Sequence, residues 1–472
     1  MRRARPFAPS LSRDDSRQLV RSLVTLGGPI ALQNLIGSSL NMLDTVMIGS
    51  LGTAQIAGVA IANQIFFLLN LFLFGTGSGT AVFTAQYWGN RDLAGIRRSL
   101  GACLVVTMSG ALLVFALSQA IPRQLIALFS PDPEVIGYGS RFLRVVSIGF
   151  LFQGVSAGYI YVLRSVERTR MALVAGAASL ALNTFLNWCL IFGHLGAPAL
   201  GVEGSGIATA TARFVELAIV IAAVYRRKSR SPLAARPREM FRLDPYFFRK
   251  FVAVILPVVG NEVGWALGLV VEMAVFGHMG TASVAAYNIA DTAIKLVIVV
   301  FFGTTNANAI IVGKRIGQQD RDGAVRAAGF CMRLAPALGA VLGGVLAALS
   351  LVVPGLFNVD PQVRLFAATA MVIYGCGMPL RMFNWHMIVG IMRAGGDTRF
   401  AMAMDVGGTW LVSIPLVAVA GLLLGAPFWL VYVATMMEDI PKAIIGVRRV
   451  RSLKWLNDLT GRPAPEAQPP VG

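Results

Sequence analysis

Pro29-Ile-Ala-Leu-Gln33-Asn-Leu-Ile-Gly-Ser-Ser-Leu-Asn41-Met-Leu-Asp44-Thr-Val-Met-Ile-Gly49-Ser-Leu-Gly52 returns 228 residues later as Pro257-Val-Val-Gly-Asn261-Glu262-Val-Gly-Trp-Ala-Leu-Gly-Leu-Val-Val-Glu272-Met-Ala-Val-Phe-Gly277-His-Met-Gly280. Pro29 falls on Pro257, Asp44 on Glu272, Gly49 on Gly277 and Gly52 on Gly280. The register holds without a gap through Ala57 and Ala285, Gly75 and Gly303, Gly89 and Gly317, and Cys103 and Cys331. Both copies consist of long apolar stretches. A duplicated bundle of membrane helices is the usual architecture of a secondary transporter, whose site lies between the two halves.

The composition supports this. Of 472 residues, 56% are hydrophobic and 14% charged, far from a soluble globular domain. Apolar runs long enough to cross roughly 30 Å of hydrocarbon recur throughout. The net charge of +18 does not indicate nucleic acid, because the basic residues sit between the apolar runs. Cys103, Cys189, Cys331 and Cys376 lie inside apolar runs with no CxxC pair, and read as small packing residues. The basic, Ser-rich leader runs straight into a first span of full length, which is expected to direct insertion itself. Neither an HExxH motif nor a P-loop is present, and Gly154-Val-Ser156-Ala-Gly158 lies inside a span without the elbow that a nucleophile needs. The chain is expected not to be an enzyme and to carry no cofactor.

Twelve spans are expected: 20–47, 56–85, 94–121, 135–162, 170–194 and 201–226, then 250–276, 284–313, 323–350, 363–391, 400–422 and 427–446. The fold class is therefore an all-α integral membrane protein with two six-helix lobes related by a parallel pseudo-two-fold repeat. Residues 1–19 form a basic N-terminus, 20–226 the first lobe, 227–249 a linker, 250–446 the second lobe and 447–472 a basic, then Pro-rich tail, expected to be disordered from Gly461. Lys and Arg cluster in the leader, after the even-numbered spans and in the tail: Arg91, Arg97 and Arg98, Arg164, Arg168 and Arg170, the nine between Arg226 and Lys250, then Lys314, Arg315, Arg393 and Arg399. The opposite loops are nearly free of them. Excess positive charge marks the cytoplasmic side, so both termini are expected there, in a multi-pass protein of the cell inner membrane. Six spans per copy is an even number, which gives a parallel rather than an inverted repeat.

Polar groups inside the spans carry the chemistry, since an ionisable group in hydrocarbon costs at least ~2.5 kcal/mol. Asp44 lies late in span one with Gln33 three turns before it. Asn183 and Asn187 are four residues apart in span five, one above the other on a helix face. A carboxylate with amide and carbonyl oxygens suits a proton or a hard cation such as sodium. Glu262 lies well inside span seven, five residues after Pro257. Pro257 and Pro29 each remove a backbone hydrogen bond, and a bent helix beside a buried acid suits a moving gate. Asp405 lies inside span eleven, and Asp291 with Lys295 forms a possible pair in span eight. For Asp44 and Glu272 the alternative reading is a solvated helix end; for Asn183 and Asn187, interhelical glue; for Asp291 with Lys295, a structural pair.

The stretch from Gln33 to Gly52 resembles the opening signature of the multidrug and toxin extrusion (MATE) family, bacterial branch. Pro257-Val-Val-Gly-Asn261-Glu262-Val-Gly-Trp265, Ala285-Ala-Tyr287-Asn288-Ile289-Ala290 and Met392-Arg393-Ala-Gly395-Gly396-Asp397-Thr398-Arg399 agree, in order and in the right spans. The resemblance implies two lobes around a cavity that alternates between the two sides of the membrane. It also implies export of cationic or amphipathic organic compounds driven by protons or sodium. By position, Asp44 matches the family's acid of the first span, Asn183 an amide of the first-lobe cation site, and Glu262 the second-lobe acid implicated in coupling. Two departures stand out: Asn187 replaces an Asp found in some relatives, and Arg381-Met-Phe-Asn384-Trp-His386 has no acid where many relatives place one in span ten. Asp405 is an alternative partner for Glu262.

The resulting expectation is a proton- or sodium-coupled antiporter with coupling residues Asp44, Asn183, Asn187, Glu262 and Asp405. The only metal is a transient sodium ion at Asp44, Asn183 and Asn187. Gln33, Asn34, Asn261, Asp291 and Asn384 are the candidate cavity-lining polar residues. The expected partners are small cationic or amphipathic organic substrates and the lipid bilayer, but no nucleic acid, with the monomer as the working unit. The alternative is a flippase for lipid-linked precursors, in which Arg144, Arg213 or Arg381 would face a pyrophosphate.

Overall fold

The computed structural model describes residues 12–226 and 231–461. The leader arginines before residue 12, Arg227, Lys228 and Arg230 of the linker, and the Pro-rich tail beyond 461 lie outside the described residues. Among the described residues the structure is helical, with no strand. The first copy contains α1 (Arg13–Gly49), α2 (Thr53–Gly89), α3 (Leu93–Ala120), short α4 (Pro122–Ala127), α5 (Pro133–Ser165), α6 (Thr169–Phe192) and α7 (Gly201–Tyr225). Short α8 (Pro237–Phe241) lies within the linker. The second copy contains α9 (Pro245–His278), α10 (Thr281–Gly317), α11 (Arg321–Leu349), α12 (Pro361–Met387), α13 (Thr398–Gly408), α14 (Ile414–Ala418), α15 (Phe428–Ala434) and α16 (Asp439–Arg451). Three π-helical stretches interrupt it, at Ile388–Arg393, Thr409–Ser413 and Val419–Leu423.

The duplication extends to helix ends and caps. Thr53–Gly89 and Thr281–Gly317 have the same length and the 228-residue offset. Asp92 caps α3 by accepting from the Gly95 amide at 2.9 Å, and Asp320 caps α11 by accepting from the Gly323 amide at 2.8 Å. These caps satisfy donors that would otherwise be orphaned at a helix start. The turn before each second helix passes through a positive φ, 140° at Gly52 and 114° at Gly280, a region that side chains disfavour.

Eleven helical segments of the described residues are long and apolar enough to cross a membrane. The twelfth expected span, 427–446, differs from the rest. Its helix ends at Ala434, turns at 435–438 and restarts at Asp439. Glu438, Asp439 and Lys442 in this segment are buried, at 7%, 3% and 4% exposure. Three charges lower its average hydropathy, and protein partners rather than lipid surround them.

The chain forms two compact units, one drawn from Met1–Ala31, Ala85–Arg91 and Gly260–Gly472, the other from Leu32–Thr84 and Asp92–Val259. The boundary falls inside α1 two residues after Pro29 and inside α9 two residues after Pro257, at repeat-related positions. In the first unit Leu19, Leu23, Leu26 and Ile30 of α1 pack in one buried cluster with residues of α10, α11, α12 and α16. In the second, α2, α5 and α7 supply Leu69, Leu73, Phe142, Phe150 and Val202 to the core.

Within the first unit the ends of α2 and α10 meet in a reciprocal contact. A Cβ on Gly89 would lie 2.0 Å from the Lys314 carbonyl oxygen, and one on Gly317 would lie 1.9 Å from that of Gln86. Lys314 and Gln86 are themselves repeat partners, so the same glycine spacing serves both sides of the contact. Gly317→Val is expected to cost about 1–3 kcal/mol through overpacking and to lower the thermal unfolding midpoint in detergent. Gly344→Val, where a Cβ meets nothing within 4 Å, is expected to leave it unchanged.

Candidate functional site

In the unit containing Leu32–Thr84, α1, α6 and α7 bring polar groups together in an apolar setting. Asn187 of α6 donates from Nδ2 to Asp44 of α1 and, at 3.1 Å, to Asn183 Oδ1 one turn earlier. Asn183 in turn donates to Thr209 Oγ1 of α7 at 3.2 Å. Asn183 and Asn187 are 1% and 0% exposed. The four-residue spacing that put both amides on one face makes this relay possible. Asn187 Oδ1 is buried with no donor in reach. Asp44 makes no ion pair among the described residues; its direct partner is an amide.

A second polar group lies in the same unit. Arg164, 9% exposed, donates to Gln33 Oε1 from Nε at 3.1 Å and Nη2 at 2.6 Å. Arg213 pairs with Glu216 at 2.9 Å within α7. Gly176 of α6 leaves room for both sets, since a Cβ there would stand 3.6 Å from Gln33 Cγ and 4.0 Å from Glu216 Oε1. Asn34 is half-buried on α1. An open apolar cavity of ≈ 610 Å³ lies between α1 and α6, lined by Leu43, Met47, Leu180, Thr184, Phe185 and Trp188 among others. Leu43 and Trp188 directly adjoin Asp44 and Asn187 in sequence.

The unit containing Gly260–Gly472 meets its charges differently. Glu262 of α9 is paired with Arg393 Nη2 at 2.8 Å, and Arg393 is 3% exposed. Asp405 of α13 receives Lys442 Nζ at 2.8 Å and Asn261 Nδ2 at 3.0 Å. Lys442 also reaches Glu438 at 3.0 Å, and Thr409 donates to Glu438 Oε2 at 2.6 Å. Arg381 binds Asp439 at 2.9 Å and Glu438 at 3.5 Å. Asn384 donates to the Asp439 backbone oxygen at 2.8 Å and to its carboxylate at 2.9 Å, tying α12 to the start of α16. Asp291 stands apart from these contacts, paired with Lys295 at 2.6 Å in a partly exposed position.

The π-helical stretches position much of this network. Arg393 ends one of them, and Thr409 begins and Ser413 ends another. A π turn accommodates an extra residue. It therefore accounts for Arg393, one position beyond the repeat partner of Arg164, meeting Glu262, while Arg164 meets Gln33, the repeat partner of the adjacent Asn261.

The expected coupling residues thus fall into two groups, Asp44 with Asn183 and Asn187, and Glu262 with Asp405 through Asn261. Sequence reasoning placed Arg164 and Arg393 in cytoplasmic loops, and the structure corrects this: both are buried. It also overlooked Lys442, Glu438 and Asp439. Their signal was present, as three charges inside one apolar segment with Glu438 and Lys442 at the (i, i+4) spacing of a helical ion pair.

Because Glu262 neutralises a buried guanidinium, Glu262→Gln is expected to cost about 3–5 kcal/mol by leaving Arg393 unpaired, whereas replacing both members with Gln and Met costs much less. Thermal unfolding of both variants in detergent checks this. Equal destabilisation of single and double variants would show that the pair is not the source.

The MatE family model matches two segments of the chain, residues 29–189 and 257–434. The multidrug resistance protein PmpM of Pseudomonas aeruginosa is 29% identical over 437 residues, covering 88% of this chain and 85% of that protein. The multidrug resistance protein MdtK of Yersinia pestis is 26% identical over 468 residues, covering 92% and 95%. A solved outward-facing conformation of a multidrug resistance MATE family transporter of the MOP superfamily has the same fold, with a TM-score of 0.83 at 17% identity over 94% of this chain and 100% of that one.

Proposed function

The chain belongs to the MatE family of membrane transporters, and from that premise we propose that it is a multidrug exporter that exchanges protons or sodium ions for cationic or amphipathic organic compounds by alternating access. The observation that carries this reading is the buried Asn187 carbonyl oxygen, without a donor, beside the Asp44 carboxylate. The Asp44–Asn187 pair thus carries a carboxylate and a free amide oxygen, with Asn183 and Thr209 one step behind. Oxygen ligands of this kind suit sodium, and the carboxylate alone suits a proton. The residues fit a monovalent cation better than a divalent one, since only one acid is present.

The apolar cavity between α1 and α6 fits the other half of the exchange. Phe185 and Trp188 line it, and an aromatic wall suits a flat organic cation. Ion and substrate then compete for the same charge, so ion binding from outside releases the substrate and ion loss to the cytoplasm restores the site. This scheme needs only that the ion bind the two conformations with different affinity.

Glu262 and Asp405 take part as acids already held by Arg393 and Lys442, and coupling through them requires those pairs to open. Of the arginines that a flippase would present to pyrophosphate, Arg213 and Arg381 are committed to carboxylates, which favours the exporter. The remaining Lys and Arg still cluster after the even-numbered spans, supporting an inner-membrane protein with both termini in the cytoplasm. Both copies of the bundle reside in one chain, which supports a working monomer.

Protein reconstituted in liposomes is expected to take up a fluorescent cationic dye under an imposed pH or sodium gradient, and the effective gradient identifies the ion. Asp44→Asn is expected to lower that uptake by about 5- to 150-fold, the loss of roughly 1–3 kcal/mol of coupling. Uptake by the wild type under neither gradient would reject the exchange reading.

A further inference from the structure

Glu272 has no part in the scheme above, yet its setting repeats that of Asp44. It stands on the first helix of the second copy, as far beyond Pro257 as Asp44 is beyond Pro29. Asp44 accepts a hydrogen bond from Asn187 on the fifth long helix of its copy. Glu272 accepts one from Ser413 Oγ in the π turn of the corresponding fifth span. Glu272 is 6% exposed.

Its neighbours explain why it differs from the other acids of its unit. Glu262 has Arg393, Asp405 has Lys442, Glu438 has Lys442 and Arg381, and Asp439 has Arg381, all within ion-pair distance. Glu272 makes no ion pair among the described residues. The charged groups that act on it are Glu438, Arg381 and Lys442, and the Tyr287 phenol of α10 is also close. Those three charges are already engaged with one another. The cluster therefore holds five carboxylates and three fixed cations, and the carboxylate left without one is Glu272. An ionised carboxylate with one hydroxyl donor in an apolar bundle is costly. A monovalent cation or a proton removes that cost, and a serine oxygen can either donate to the carboxylate or ligate the ion.

We propose that Glu272 with Ser413 is a second monovalent-cation site, taking a proton or a sodium ion at the repeat position of Asp44. Lys442, Arg381 and Arg393 act as tethered cations that occupy the neighbouring acids, and so leave Glu272 as the exchangeable one while those pairs are closed. The proposal rests on the ion-coupled reading above for its role in transport, but the site itself can be examined without transport.

Dicyclohexylcarbodiimide, an apolar reagent that attacks protonated carboxyl groups in apolar surroundings, is applied to the full-length protein in detergent at mildly acidic pH, and modified positions are mapped by mass spectrometry. Modification is expected at Asp44 and Glu272, with Glu262 and Asp405 spared. Protection of Glu272 by added sodium would identify a sodium site, and modification indifferent to sodium a proton site. Glu272 left unmodified while Asp44 reacts would overturn the proposal. In liposomes, the slope of steady-state dye accumulation against the imposed ion gradient gives the ions exchanged per dye. Glu272→Gln is expected to lower that number by one ion, and an unchanged number would also overturn the proposal. If the wild type moves no dye, the exchange reading fails by itself, and the modification pattern alone decides the site.

Discussion

A charge inside an apolar helix bundle must be met by an opposite charge, by hydrogen-bond donors or by water, because hydrocarbon provides nothing in return for lost hydration. Most of this chain's polar architecture follows from how each buried carboxylate meets that condition. Asp44 is met by an amide relay, Asn187 to Asn183 to Thr209. Glu262, Asp405, Glu438 and Asp439 are met by guanidinium or ammonium groups of the chain itself. The two solutions have different consequences. A fixed ion pair welds helices together and resists exchange, whereas an amide can serve an ionised, a protonated or a cation-bound carboxylate with small rearrangement.

Duplication supplies the frame in which these solutions are compared. The lengths of α2 and α10, the Asp92 and Asp320 caps and the positive-φ turns at Gly52 and Gly280 repeat faithfully. They depend on local backbone chemistry, which a copied sequence carries with it. The copies diverge where side chains reach across to other helices. Three π-helical stretches occur among the described residues, all in the second copy, and two of them carry Arg393, Thr409 and Ser413. The extra residue of a π turn re-aims such side chains.

That contrast also explains what the sequence made legible. The all-α class, the repeat, eleven of the twelve expected spans and the pairing of Asn183 with Asn187 follow from periodicity and offset, and the described residues have each of them. The charge network of the second copy did not follow. Arg393 ends an apolar run beside Ala394-Gly395-Gly396-Asp397, where a basic residue reads as a cytoplasmic flank; only tertiary contact reveals that it turns inward to Glu262. The segment around Glu438 and Lys442 averaged to an acceptable span because aliphatic neighbours outweighed three charges. Hydropathy averages over a window, but the cost of burial falls on individual atoms, and the two diverge wherever opposite charges cancel.

The prolines connect the sites to any change of conformation. Pro29 and Pro257 lie two residues before the points at which α1 and α9 pass from one compact unit to the other. A proline inside a helix removes one backbone hydrogen bond and leaves the helix easier to bend there. Gln33 and Asp44 follow the first of these points; Asn261, Glu262 and Glu272 follow the second. Each acid therefore rides on the segment that belongs to the same unit as its hydrogen-bond partners, so a bend at the proline can leave the site intact while changing what precedes it. A carboxylate placed across the break would lose its partners whenever the helix bent. Keeping acid and partners on one side lets the charge state of the site, rather than its integrity, be the quantity that differs between conformations.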